Sequence, residues 1–284
     1  MDTEDLDPKY VAQIISGPPF VTIPGVHNVR DLGSYRTAIP GQVTRPGYMF
    51  RSGEISSITD EGESQRYAIM AFSTSMQLIT AEMLKYSTPI PSISGVNIVH
   101  APIFKMKDYS PQMMARRFEL YASGKIQAFM QLYSEILDAA GPAFGTIFRH
   151  VRDKPKENFL FHCTAGKDRT GILAAILLLV RPVFLANVDD ETIAKDYALT
   201  RIGREPMRKA IMERLQKEPV FINNPDAALN MLSSRHETML EFLKMFREQY
   251  GGAEAYVKRY CELSNDDIAT IRRHITSPYP PDPS

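Results

Sequence analysis

Cysteine is scarce. The 284 residues hold only Cys163 and Cys261, too few for a disulfide framework. Net charge is absent as well, because 33 Lys plus Arg balance 33 Asp plus Glu. No global field therefore points to nucleic acid or an acidic membrane, no nucleic-acid partner is expected, and any anion site must be built locally. Long apolar runs are missing too: the longest, residues 171–180, stops at Arg181-Pro182. It is half the length of about 20 residues that a bilayer demands, so no transmembrane segment is expected. The start, Met1-Asp2-Thr3-Glu4-Asp5, has neither the basic nor the apolar region of a signal peptide, and a reducing, cytoplasmic setting is the expectation. What remains is ordinary for a globular chain, with 44% hydrophobic and 23% charged residues, which excludes a disordered, collagen-like or coiled-coil protein.

No internal repeat interrupts the chain. Residues 1–19 read as a flexible leader, and residues 277–284 hold four prolines, an extended tail without a core. Between Pro18 and Gly53, glycine and proline alternate with short β-like pieces such as Phe20-Val21-Thr22-Ile23, predicting loops and hairpins. Thr59 is placed to cap a helix opening at Asp60. Residues 96–100 alternate and end before a proline, predicting a strand. Ser110-Pro111 opens a helix. Ile126, Phe129, Met130, Tyr133, Ile136 and Leu137 keep helical spacing up to Gly141-Pro142, and Phe144, Ile147, Phe148 and Val151 form a second stripe. These stripes read as core faces, as do the apolar residues of 113–133, for which a lid is the alternative reading. Residues 158–161 make a short apolar strand that runs into Gly166 and a long helical stretch from Arg169. The acidic triplet Asp189-Asp190-Glu191 reads as a helix start rather than a metal site, and Ser264 with Asp267 as a capping box. Strands set between helices predict an α/β fold with an irregular N-terminal lobe and a helical C-terminal half.

The chemistry concentrates in His162-Cys163-Thr164-Ala165-Gly166-Lys167-Asp168-Arg169-Thr170-Gly171. A thiol and a guanidinium six positions apart frame a short loop between strand and helix. Backbone N–H groups in such a loop converge on an anion, and the following helix aims its N-terminal dipole at the same point. Gly166 permits torsions that a side chain blocks. A thiol there, beside cations, titrates not at about 8.5 but between roughly 3.5 and 7.5. Cys163 is therefore the expected nucleophile. Arg169 can grip two phosphate oxygens, Thr170 can donate to the sulfur, and His162 is a steadying neighbour rather than the base. Cys261 has no such surroundings and reads as a buried hydrophobe.

The run resembles the signature loop of the cysteine-dependent protein tyrosine phosphatases. Its wording from Ala165 to Gly171 is similar to the tyrosine/serine phosphatase branch known from fungi and secreted bacterial enzymes. His27-Asn28-Val29-Arg30-Asp31-Leu32-Gly33-Ser34-Tyr35, Arg45-Pro46-Gly47, Phe50-Arg51-Ser52-Gly53, Tyr250-Gly251-Gly252 and Leu263-Ser264 also match elements of that family. The resemblance implies one phosphatase-like domain over residues 20–276, a central sheet flanked by helices, and no metal or other cofactor. It implies that Cys163 attacks phosphorus to form a phosphocysteine that water hydrolyses. Residues Thr164, Ala165, Gly166, Lys167, Asp168 and Arg169 would cradle the phosphate.

One family element is missing. Members carry Asp-Leu-Arg-Ser on a strand after the Phe-Arg-Ser-Gly segment, whereas here no Asp or Arg stands between Tyr67 and Lys85. The expected leaving-group acid is then Asp168, with Asp108 and Glu82 behind it. A phenolate, with a conjugate-acid pKa of about 10, needs that acid less than an alkoxide does. Aryl phosphates are the expected best substrates, on a phosphorylated protein, with phosphoserine/threonine or a phosphoinositide as wider partners. Lys167, expected at the loop rim, suits multiply phosphorylated ligands; Arg30 and Arg51 either contact anions or brace the lobe. A phosphate-binding pseudophosphatase and a redox-sensing thiol protein are the rival readings.

Overall fold

The computed structural model describes residues 4–62, 74–78, 92–104, 110–179, 188–222 and 224–279. A five-stranded sheet organises them. It contains β1 (Arg30–Asp31), β3 (Met49–Ser52), β4 (Thr74–Gln77), β5 (Asn97–His100) and β6 (Phe159–His162), in the order β1-β3-β6-β4-β5. The strand β2 (Gln42–Thr44) lies outside it. β3, β6, β4 and β5 run parallel, and only the edge strand β1 is antiparallel. β3 and β6 are buried at every position, as strands of a sheet covered on both faces must be. The register aligns Ser52, His162 and Gln77. Gly53, Cys163 and Leu78 thus all leave the sheet at one carboxyl edge, where open α/β sheets place their ligands.

The helices follow from the apolar stripes, with one correction. The stripes on either side of Gly141-Pro142 belong to a single 28-residue helix, α3 (Ile126–Asp153), not to two. Pro142 removes one N–H from the ladder. Burial of Leu137, Ala140, Ala143, Phe144, Ile147 and Phe148 on the same face outweighs that loss. Gly141 is required there because a Cβ would lie 2.2 Å from the Tyr260 carbonyl oxygen. The helix after β6, α4 (Asp168–Leu179), is buried at every position from Thr170 onward and forms the apolar centre of the molecule.

Around α3 and α4 stand α5 (Asp190–Gly203), α8 (His236–Tyr250), α9 (Gly252–Tyr260) and α10 (Asn265–Ile275). Asp189 caps α5 by accepting from the Thr192 amide at 2.8 Å, so the acidic triplet is a helix start. The Ser264–Asp267 capping box is present on α10.

Three further helices stand over the carboxyl edge of the sheet: α2 (Pro111–Ala122), α6 (Arg208–Leu215) and α7 (Pro225–Leu232). They share a small apolar cluster of Leu215, Phe221, Ala227, Ala228 and Leu232 with Phe118 and Ala122 against it. The core-face reading of residues 113–133 holds for Phe129, Leu132 and Tyr133 of α3, and α2 has a second role. Leu120 and Tyr121 of α2 pack against the main core, while its Met114, Arg117, Phe118 and Tyr121 line a cavity.

The two ends are better anchored than their composition predicts. Residues 8–15 form α1 (Pro8–Ile15), which the Leu6 amide ties to Glu205 at 3.0 Å while Arg208 binds Asp5. At the other end, β7 (Thr276–Pro278) pairs antiparallel with β2, so the proline-rich tail begins as a strand. No described helix is long and apolar enough to cross a membrane.

Candidate active site

The sheet delivers Cys163 to its carboxyl edge and α4 begins five residues later, at Asp168. The sulfur is 2% exposed. Burial alone pushes a thiol's pKa up, yet Arg169 and the hydroxyl and amide of Thr170 together hold Cys163 below its ordinary value, against an opposing push from Asp168. The unpaired N–H groups of the first turn of α4 add to the same field. His162 is fully buried, and burial pushes it down to about 4. Its ring is neutral at physiological pH, so it supplies neither a cation nor a protonated acid.

Why the loop can receive an anion is visible in what holds its carbonyls. The Glu54 amide donates to the Thr164 carbonyl at 3.2 Å. The Asn28 side-chain amide donates to the carbonyls of Ala165 and Gly166 at 3.4 and 3.3 Å. Arg51 Nη2 donates to the Gly166 carbonyl at 2.9 Å. In a planar trans peptide the N–H points opposite to the C=O. Three successive carbonyls tied to the N-terminal lobe therefore turn the amides of Ala165, Gly166 and Lys167 the other way, as an anion nest requires. Gly166 is indispensable twice over: its φ is +65°, and a Cβ there would sit 2.4 Å from the Ser52 carbonyl oxygen.

Lys167, Asp168 and Arg169 all line the cavity while holding hydrogen bonds of their own. Arg169 lines the cavity, with Nη1 donating to the Leu78 carbonyl at 3.2 Å. Asp168 lines it too, and accepts a hydrogen bond from the Tyr133 hydroxyl at 2.7 Å; Tyr133 in turn meets the Tyr197 hydroxyl at 2.5 Å.

Lys167 departs from expectation. It is 2% exposed rather than at an open rim, with Nζ donating to the carbonyls of Met231 and Ser233 at 2.7 and 3.1 Å and lying over the Tyr121 ring. The reason is tertiary: the junction of α7 and α8 closes over it. Its ammonium ties the loop to that junction.

The cavity, about 480 Å³, adds residues that no sequence pattern marked. Arg204, at the C-cap of α5, lines it with Glu54 and Arg214. Burial lowers the Arg204 pKa, opposed by the negative charges of Asp168 and Cys163. Burial raises that of Glu54, opposed by Arg214 and Arg204. Phe104, Met114, Phe118, Leu132, Ile136 and Ile211 give the wall an apolar part, with Arg117, Lys167 and Glu218 among its charged residues. Arg30 and Arg51, left between two roles by the sequence, are 0% and 1% exposed and do not line the cavity. They brace the lobe, and Arg51 braces the loop directly.

A family model for the tyrosine phosphatase family matches residues 21–277. The chain belongs to the tyrosine phosphatase family. Among its relatives, a tyrosine-protein phosphatase from Nostoc commune is 34% identical over 133 residues, a stretch that covers 45% of this chain and 42% of that protein. The triple specificity protein phosphatase PtpB of Mycobacterium tuberculosis is 24% identical over 267 residues, 83% of this chain and 92% of that protein.

Within this tyrosine phosphatase-family fold, the strand expected to carry Asp-Leu-Arg-Ser has its place in the sheet. β4 sits between β6 and β5 but reads Thr74-Ser75-Met76-Gln77. Among the described residues the buried hydroxyls of Thr74 and Ser75 have no hydrogen-bond partner, and β4 contributes no acid. Asp108 and Glu82 lie outside the described residues. Among the described residues, Asp168 is the expected acid at the cavity.

Proposed function

We propose that this protein hydrolyses phosphate monoesters, phosphotyrosine foremost, through a phosphocysteine. The Cys163 thiolate attacks phosphorus in line with the ester oxygen, forming the S–P bond as the P–O bond breaks. Asp168 gives its proton to the departing phenolate oxygen. Charge on the transferring group is met by Arg169 and by the amides of residues 164–169. Water then attacks phosphorus, Asp168 takes its proton, the S–P bond breaks, and Thr170 donates to the sulfur as it leaves as thiolate. No metal or other cofactor enters the scheme.

The observation that carries this reading is the conjunction at Cys163: a thiol held below its ordinary pKa beside three amides whose carbonyls are tied back. The apolar part of the wall supports an aryl substrate, because an aromatic ring buries favourably against Phe104, Phe118 and Leu132, and a phenolate leaves more readily than an alkoxide. Phosphoserine/threonine and phosphoinositides are accordingly the slower substrates, and a cytoplasmic location is the setting in which the thiol stays reduced.

Turnover of a phosphotyrosine peptide, its phosphoserine counterpart and a phosphoinositide by the wild type tests this. The expected result is aryl turnover at least about tenfold faster than alkyl. Comparable rates on both would contradict the specificity. Tight binding of the phosphotyrosine peptide with no turnover would favour the pseudophosphatase, the reading that the acid-free β4 supports. Reversible peroxide inactivation, blocked by phosphate, would add a redox response of the same sulfur.

A further inference from the structure

Behind the loop lies a buried cluster centred on a carboxylate that the mechanism does not use, and of its members Asn28 also lines the cavity. Asp196, on α5, is 2% exposed. Its Oδ1 accepts from Arg30 Nε at 3.1 Å and from the Tyr35 hydroxyl at 3.1 Å, and its Oδ2 from Arg51 Nη1 at 2.5 Å. Arg30 also donates to the Asp196 carbonyl and the Thr200 hydroxyl, and to Asn28 Oδ1. Burial pushes the Asp196 pKa up, but the two guanidiniums hold it below its ordinary value. Two buried cations thus share one carboxylate.

As a device for stability this cluster is poor. Apolar residues of similar volume do as well or better than a buried ion triad, whereas removing one member leaves an uncompensated charge. What distinguishes it is where its two arms end. One arm runs Asp196–Arg51 to the Gly166 carbonyl. The other runs Asp196–Arg30–Asn28 to the carbonyls of Ala165 and Gly166. Arg30 donates to Asn28 Oδ1, which leaves the Asn28 NH₂ as the end that faces the loop. Asn28 itself has φ +61°, a conformation that asparagine tolerates better than most residues.

We propose that Asp196 is the positioning residue of the phosphate cradle: through Arg30 and Arg51 it fixes the peptide units at 165–166 and 166–167, so that the amides of Gly166 and Lys167 face the bound phosphate. Asp196 touches neither substrate nor sulfur. The proposal rests on the phosphatase reading above, and its test separates the two.

Asp196→Asn keeps the size and removes the charge. Asn28→Gly leaves both ion pairs intact, suits the positive φ, and deletes the last link of one arm. Each variant is compared with wild type for competitive inhibition by inorganic phosphate, the pH midpoint of Cys163 inactivation by iodoacetate, and the melting temperature. Both variants are expected to bind phosphate about tenfold more weakly, the worth of one well-placed hydrogen bond, and to shift the iodoacetate midpoint upward, with Asp196→Asn the more affected. If Asp196→Asn does not fold, Asn28→Gly decides. Lower melting temperatures with unchanged phosphate affinity and unchanged midpoint would mean a merely structural cluster and would overturn the proposal while leaving the phosphatase reading standing. A wild type with neither turnover nor phosphate affinity would overturn both.

Discussion

Cys163 and Cys261 are equally buried, at 2% exposure each, and both are free. Their thiols nevertheless move in opposite directions. Cys163 is held below its ordinary value by Arg169 and Thr170 in spite of burial. Cys261 is pushed up to about 12 by burial, with Arg149 opposing only weakly. The helices explain much of the contrast. Cys163 stands just before the N-terminus of α4, the positive end of that helix's dipole, whereas Cys261 is the C-cap of α9, at a negative end. Burial makes a thiol inert or reactive according to which end of a helix it meets and which cations share its pocket.

The sharpest way to break this comparison is to remove each sulfur in turn. Cys163→Ser is expected to cut aryl phosphate turnover by at least about a thousandfold, since the nucleophile itself is lost. Cys261→Ser is expected to leave turnover within about twofold and to lower the melting temperature, because it puts a hydroxyl into an apolar site. Steady-state kinetics on both variants checks this, and equal losses would erase the distinction. Next in size is Arg169→Lys, which keeps the charge but gives up the two-pronged grip. A loss of about a hundredfold in kcat is expected, similar to removing one oxyanion donor, and kinetics with little change would place the phosphate elsewhere.

Smaller, but opposite in sign, are the effects on stability. The pKa of Cys163 is lower folded than unfolded, so its stabilisation is fully present above the ordinary thiol value of about 8.5 and is lost as pH falls through the lowered folded value. Cys261 has the raised folded pKa. Its contribution is fully present below about 8.5 and is lost as pH rises through about 12. Melting temperatures of Cys163→Ala and Cys261→Ala, each measured against wild type between pH 7 and 10, should therefore diverge: the deficit of the first grows with pH and that of the second shrinks. Parallel trends would contradict the assigned pKa shifts.

The part of this site that could be read from the sequence is the part made of neighbours in the chain. Residues 162–171 carry the sulfur, the glycine and the arginine in one stretch, and strand-to-helix context is a local property. What could not be read depends on distant partners. Lys167 belongs to that same stretch, yet its exposure is decided by the carbonyls of Met231 and Ser233, brought over it by α7 and α8. Arg30 and Arg51 stand out in the sequence only through the family-like segments that hold them, and their common partner Asp196 lies on a helix with no motif around it. Arg204 and Glu54 face the cavity because α5 and β3 end there, which spacing does not reveal. The break expected at Gly141-Pro142 failed for a related reason: local propensity yields when a long apolar face is buried on both sides of the proline.

The most direct measurement is a rapid-quench experiment with an aryl phosphate labelled at phosphorus, followed by acid trapping and peptide mapping. Label on the peptide that carries Cys163, appearing and decaying at rates that account for turnover and missing in Cys163→Ser, is the predicted result. Turnover without label on that peptide, or label on a different side chain, would contradict the assignment of the sulfur as nucleophile.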